Sequence, residues 1–271
     1  MRTIDQIARI IYEKSENIFH YTTTEAFKNI IETSEIWITK YNDLNDPTEF
    51  NYGINLIDKI LNEKPYFTRT INKDELKKSL KKRLQYTFVS SFTNCPDSHL
   101  MWSSYSRNKG LCFQCNSNFL ARNINQFTIV EGKVIYDQKQ QEELLIDIFE
   151  NTILSSQKPE PLKLFETSSL FNLLVFCMTI FKQEGLYGEE EYRFSLIGED
   201  NYFEEIEKLI NTRINCEREI SFIKLKINRN SIISITSPPN IHNNKLYLSL
   251  KPLFDKYNLK IESNHSKIIL R

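Results

Sequence analysis

The chain has 271 residues, of which 40% are hydrophobic, 26% charged and 12% aromatic, a make-up that buries a full core and excludes a disordered polymer. Lys+Arg and Asp+Glu both number 35, so the formal net charge is zero, which excludes a generally basic nucleic-acid coat but not a local basic groove. Mean hydropathy is −0.44, and the longest apolar stretch, Leu170 to Phe181, is broken by Asn172 and too short to span a bilayer, so no membrane partner is expected.

The opening segment MRTIDQIARIIYEKSE has neither an apolar signal core nor a small-residue cleavage site, which leads to the expectation of a cytoplasmic protein. Ile4, Ile7, Ile10 and Ile11 recur at helical spacing, predicting a first helix over 3–16. Phe19-His20-Tyr21 reads as a short strand. Thr22, Thr23 or Thr24 can cap a second helix, Thr22-x-x-Glu25 fitting a capping box, with Ala26, Phe27, Ile30 and Ile31 as its buried stripe. Ile36-Trp37-Ile38 is a short β-rich run, and the polar loop Tyr41 to Pro47 leads at Asp46-Pro47 into a long helix ending near Asn62. Lys73 to Lys82 predicts a charged helix whose cluster Lys77, Lys78, Lys81, Lys82 and Arg83 reads as a solvated face rather than a nucleic-acid contact.

Tyr86 to Thr93 alternates as a strand, and Asp97-Ser98 caps a short helix carrying Leu100, Met101, Trp102 and Tyr105. Leu111 to Cys115 is the next strand. Its Cys112-x-x-Cys115 points to opposite faces and lacks the second pair a zinc site needs, so it reads as structural. The odd count of five cysteines suits reduced thiols. Phe127–Val130 and Lys133–Tyr136 flank Glu131-Gly132 as a hairpin or a bulged strand. Helices follow over 138–153 and 161–181, separated by the link Ser155 to Pro159. The C-terminal third predicts strands over 192–197, 220–227 and 231–237, helices over 202–212 and 246–257, and edge strands at 259–262 and 267–270. One α+β domain over 1–271 with a mixed or antiparallel sheet fits this pattern, its β-rich C-terminal part running over 192–271.

Four constellations concentrate polar chemistry: Phe19-His20-Tyr21-Thr22-Thr23; Asn45-Asp46-Pro47-Thr48-Glu49; Ser90-Ser91-Phe92-Thr93 with Leu100 to Tyr105; and Lys182 followed by Tyr187-Gly188-Glu189-Glu190-Glu191-Tyr192-Arg193. Read by themselves, Asp46 and Glu49 cap and polarise a helix, and Trp102 and Tyr105 sit at core spacing. Glu189 to Glu191 reads equally as a solvated acidic run, and His99, His242 and His265 read as surface residues.

In their order and spacing these motifs resemble the bacterial family called domain of unknown function 2971. The likeness rests on His20-Tyr21-Thr22, Asn45-Asp46-Pro47-x-Glu49, Ser91-Phe92-Thr93, Leu100-x-Trp102-x-x-Tyr105 running to Gly110, and Glu189-x-Glu191-x-Arg193. It covers 19–193, and Tyr187 stands where that family often has Trp. In motif order the chain is also similar to ADP-ribosyltransferases of the His-Tyr-Glu type, which open on a strand His before a helix and end on a Glu at the start of a late strand.

That second resemblance implies an ADP-ribosyltransferase-like fold and NAD as substrate, with no metal. Splitting nicotinamide from NAD leaves an oxocarbenium-like ribose that a carboxylate stabilises. Glu191 is then the catalytic carboxylate, with Arg193 two residues on and on its face. Glu189 orients the acceptor, and His20 binds a ribose through one ring nitrogen. Tyr21 or Tyr105 stacks on nicotinamide, and Thr22, Asn45, Asp46 and Ser91 complete the pocket. The acceptor would be a protein or nucleic acid. By analogy with small bacterial transferases the context would be a toxin or phage-defence effector, with an antitoxin or immunity partner. Two other readings stay open. One is a nucleotide-sensing module that binds in the same pocket without turnover. The other is a metal nuclease built on Glu131-Gly132-Lys133 with Asp97 or Asp46.

Overall fold

A computed structural model describes residues 1–46, 48–106, 109–116, 118–121, 124–158, 162–215, 217–241 and 243–269. Pro47, the Pro159–Pro161 boundary, Cys216 and the surface reading of His242 lie outside these residues. Helix α1 (Ile4–Ile11) starts at Thr3, which accepts from the Gln6 backbone N–H while the Gln6 side chain accepts from Thr3 in return. It stops short of the predicted Glu16, and Asn17–Thr22 becomes strand β1. Helix α2 (Thr24–Thr33) is capped by Thr23, which accepts from the Ala26 N–H. Of the three threonines offered as that cap, Thr22, which fitted the capping-box pattern, stays in the strand and pairs with Leu111.

The chain continues through β2 (Glu35–Lys40), α3 (Glu49–Glu63), α4 (Lys73–Gln85), β3 (Thr87–Thr93), α5 (His99–Tyr105) and β4 (Leu111–Asn116). Then come β5 (Phe127–Lys133), α6 (Gln138–Ser156), α7 (Leu162–Ile180) and β6 (Glu191–Gly198). The final part is α8 (Phe203–Leu209), β7 (Asn211–Asn215), β8 (Arg218–Lys226), β9 (Ile232–Ser237), α9 (Asn243–Lys256) and β10 (Glu262–His265).

Three departures from the sequence pattern have physical causes. The Glu131-Gly132 segment makes no turn, since β5 runs straight through it against β6. Gly132 is there for close approach, because a Cβ would sit 2.1 Å from the Ile11 carbonyl oxygen. The predicted helix over 202–212 ends at Leu209, and Asn211–Asn215 pairs with β8 as an edge strand. The two predicted C-terminal edge strands become one. Asn258 takes a left-handed φ of 52° and Leu259 N–H donates to the Phe254 carbonyl, so this stretch closes α9. Lys267 N–H, beyond β10, donates to Asp97 rather than to a ladder.

Among the described residues ten strands form one mixed sheet, confirming the α+β class, with only β9 and β10 parallel. The sheet forks at β3. One edge of β3 pairs with β6 along its whole length from Thr87 to Thr93. The other edge meets β1 only at Thr93 and β2 only at Phe88 and Val89. One prong is therefore β1-β4-β9-β10, the other β2-β8-β7, and β3 from Ser90 to Phe92 lies bare between them.

Alternation along β6 divides the core. Tyr192, Phe194 and Leu196 face a cluster with α2, α8 and α9, whereas Ile197 joins α1, α3, α4, α6 and α7. Cys112 and Cys115 fall into different clusters on opposite faces, as a strand requires, and the four described cysteines are free thiols. No helix among the described residues is long and apolar enough to cross a membrane.

Candidate functional site

A cleft of about 650 Å³ lies in the fork, lined from β1 and α2 on one side, β2 and β7 on the other, and bare β3 at its base. That volume is within the roughly 300–1,000 Å³ of small-ligand sites. His20, on β1, sits where a ladder partner of β3 is missing. Its Nδ1 lies 3.0 Å from the Ser91 carbonyl oxygen, and its ring packs on Phe92 and Phe113 at 5.0 and 5.3 Å. A carbonyl only accepts, so Nδ1 carries the hydrogen. Burial pushes the imidazole down to about 4, so the ring is neutral and Nε2 is an acceptor.

Opposite lies a buried charge cluster. Lys182, just past α7, places Nζ 2.8 Å from Glu191, 3.2 Å from Glu49 and 2.5 Å from Glu189. Arg193 donates from Nε to Glu191 at 2.6 Å and from Nη1 to the Thr179 carbonyl at 2.7 Å, and its Nη2 lies 2.8 Å from Glu49. Glu190 holds a left-handed φ of 44° between the two carboxylates that share Lys182, a strained turn kept at the mouth of β6.

Burial would raise the Glu191 carboxyl, but Arg193 and Lys182 outweigh it and hold it down at about 2. Glu189 is pushed up, first by burial and then by its hydrogen bond with Glu191. Three carboxylates against two cations leave one negative charge in the cluster. Glu189, its most exposed carboxylate at 14%, is the one a molecule in the cleft reaches most readily.

The fork gathers His20, Thr22, Asn45, Asp46, Ser91, Tyr105, Glu189, Glu191 and Arg193 around one cavity. Tyr105 donates to Glu189 at 3.1 Å, and Asp46 accepts from the Thr48 N–H and hydroxyl. One expectation changes. Tyr21 lies on the far face of β1, edge-on to Trp102 at 4.8 Å and donating to the Cys95 carbonyl, so it cannot stack in the cleft. Glu191 lines the cleft but is only 4% exposed, with both its oxygens held by cations, whereas Glu189 is the more exposed carboxylate of the pair. Sequence reasoning placed Glu49 and Lys182 in its polar constellations without giving them a role in the pocket, and it missed Arg213. Glu49 looked like a first-turn acid because its cation partners are remote in sequence. Glu131 and Lys133 line no part of the cleft, and pair instead with Lys14 and Glu13. Asp97 is occupied by Trp102, Ser266 and Lys267.

Residues 101–194 match the model of a family described as a protein of unknown function, DUF2971. The match begins inside α5 and ends on β6. It therefore takes in Tyr105, Lys182 and Glu189-x-Glu191-x-Arg193, whereas His20, Asn45, Asp46, Glu49 and Ser91 precede it. No curated protein and no solved structure matches the chain.

Proposed function

We propose that the protein is an NAD-consuming enzyme of the ADP-ribosyltransferase type, acting on a protein or nucleic-acid acceptor. The observation that carries this reading is the meeting of His20 and the Glu189–Glu191 pair across one cleft in a forked sheet. His20 Nε2 accepts a ribose hydroxyl. The C1′–N bond to nicotinamide breaks, and its electron pair leaves with the nicotinamide. The negative excess around Glu189 stabilises the ribosyl cation. The acceptor's nucleophile then forms the new bond to C1′ and its proton passes to the Glu189 carboxylate. Tyr105, bonded to Glu189, gives the pocket an aromatic wall. No metal enters these steps. A cytoplasmic toxin or phage-defence effector held in check by a partner protein is a context that suits such an activity.

The test is incubation of labelled NAD with cell extract, nucleic acid or buffer, comparing wild type with Glu189→Gln and His20→Ala. Label on a macromolecule, lost by at least about a hundredfold in Glu189→Gln, is the expected result. Free nicotinamide without labelled macromolecule would make the enzyme a glycohydrolase. NAD bound but never consumed would leave a nucleotide-binding module and overturn the enzyme reading.

A further inference from the structure

Arg213 belongs to β7, the edge strand of the second prong, and lines the cleft. It pairs with Ile220, another cleft residue. Its guanidinium lies 5.4 Å from the Trp37 ring and 5.8 Å from the Phe222 ring, and those two rings stack at 4.3 Å. Residues 35, 37 and 39 of β2 share one face of that prong with 220 and 222 of β8 and 213 of β7, so Arg213 is carried on a built wall rather than on a loop.

Charge accounting sets Arg213 apart from the other cations of the cleft. Lys182 and Arg193 are neutralised by Glu49, Glu189 and Glu191. Of the acids that line the cleft on and just after β2, Glu35 lies 2.8 Å from Lys226 and Asp43 lies 3.6 Å from Arg218. Among the described residues Arg213 has no carboxylate partner, and partial burial alone pushes its guanidinium down. A cation seated over aromatic rings, its planar N–H fork uncommitted, is suited to bidentate capture of a phosphate. The cluster around Glu189 has the opposite character. Its negative excess repels phosphate and favours a developing cation.

We infer that Arg213, carried over Trp37 and Phe222, is the phosphate-binding residue of the cleft, and that its ligand is the diphosphate of a nucleotide whose ribosyl end points toward Glu189. This rests on the NAD reading for the identity of the ribosyl end, but the phosphate subsite itself does not. The two ends of the cleft then select a ligand that is anionic at one end and becomes cationic at the other.

The experiment is calorimetric titration of wild type, Arg213→Gln and Arg213→Lys with ADP and with adenosine, alongside NAD consumption by the same preparations. Arg213→Gln should weaken ADP binding by about tenfold to a hundredfold, the loss of a charge-assisted contact. Arg213→Lys should fall between, keeping the charge but not the fork. Adenosine affinity should not change, which also shows that the variant is folded. ADP binding that ignores Arg213, or adenosine binding that falls with it, overturns the subsite. Arg213-dependent ADP binding without NAD consumption keeps the subsite and sinks the transferase. NAD consumption insensitive to Arg213 does the reverse, and failure of wild type to bind ADP overturns the subsite whatever NAD does.

Discussion

At the scale of single residues, Glu189 and Glu191 are divided by environment although only Glu190 separates them. Glu189 is raised by burial and by the neighbouring carboxylate. If it acts as the proton acceptor, activity must rise with pH as it ionises, with an acid limb above the ordinary carboxylate range. A pH–rate profile of wild type checks this, and an acid limb at ordinary carboxylate pH would remove Glu189 from the role. Glu191 has the opposite sign. Its carboxyl is held down, so it contributes stability above its ordinary value of 4.5 that is lost as pH falls toward about 2. Replacing it with Gln should cost about 1–3 kcal/mol at neutral pH, because Lys182 and Arg193 lose a charged hydrogen-bond acceptor while Glu49 and Glu189 still pair with them. It should also flatten that part of the acid denaturation curve. Denaturant melts across pH would show both effects. The sequence announced this pair through Lys182 and Glu189-x-Glu191-x-Arg193, but Glu49 could not be joined to it, because a residue on α3, remote in the chain from β6, leaves no local pattern.

At the scale of elements, strands were legible where apolar residues mark a buried face, whether on one side or, as in β3 and β6, on both. Thus β3, β6 and β9 appear at their predicted places. Strand β7 did not, because both faces of this edge strand are largely exposed and no apolar period marks it, as Ile214 at 72% exposure illustrates. Gly132 misled for a different reason, since a glycine that admits the carbonyl of a remote segment reads the same as one that makes a turn. Gly132→Ala should therefore destabilise the fold by about 1–3 kcal/mol through collision with the Ile11 carbonyl, and urea unfolding would measure it. An unchanged midpoint would mean that α1 can shift away from β5 freely.

At the scale of the molecule, the two tryptophans divide the reporting between them. Trp102 is fully buried behind β1, and Trp37 is 46% exposed on the cleft wall. Nucleotide binding should change the emission of Trp37 alone. Trp37→Phe should abolish the ligand-dependent signal, while Trp102 continues to report thermal unfolding. A ligand signal that persists in Trp37→Phe would place the bound nucleotide elsewhere. The α+β class was open to sequence reasoning because it needs only the succession of periodicities. The fork was not, because it arises from how many residues of β1 and β2 reach β3, a matter of register between distant strands.

The fork also has a consequence for how such a cleft can diversify. The strands that bound its two sides, β1 and β2, are consecutive in the chain and joined only by α2, a ten-residue helix fixed at one end by Thr23 and at the other by Ser34 with φ 54°. That helix works as a spacer block between two jaws. Lengthening or re-seating it would reset the gap without disturbing β3, β6 or the charged floor, so ligand preference could drift through one short local segment while the reacting groups stay in place.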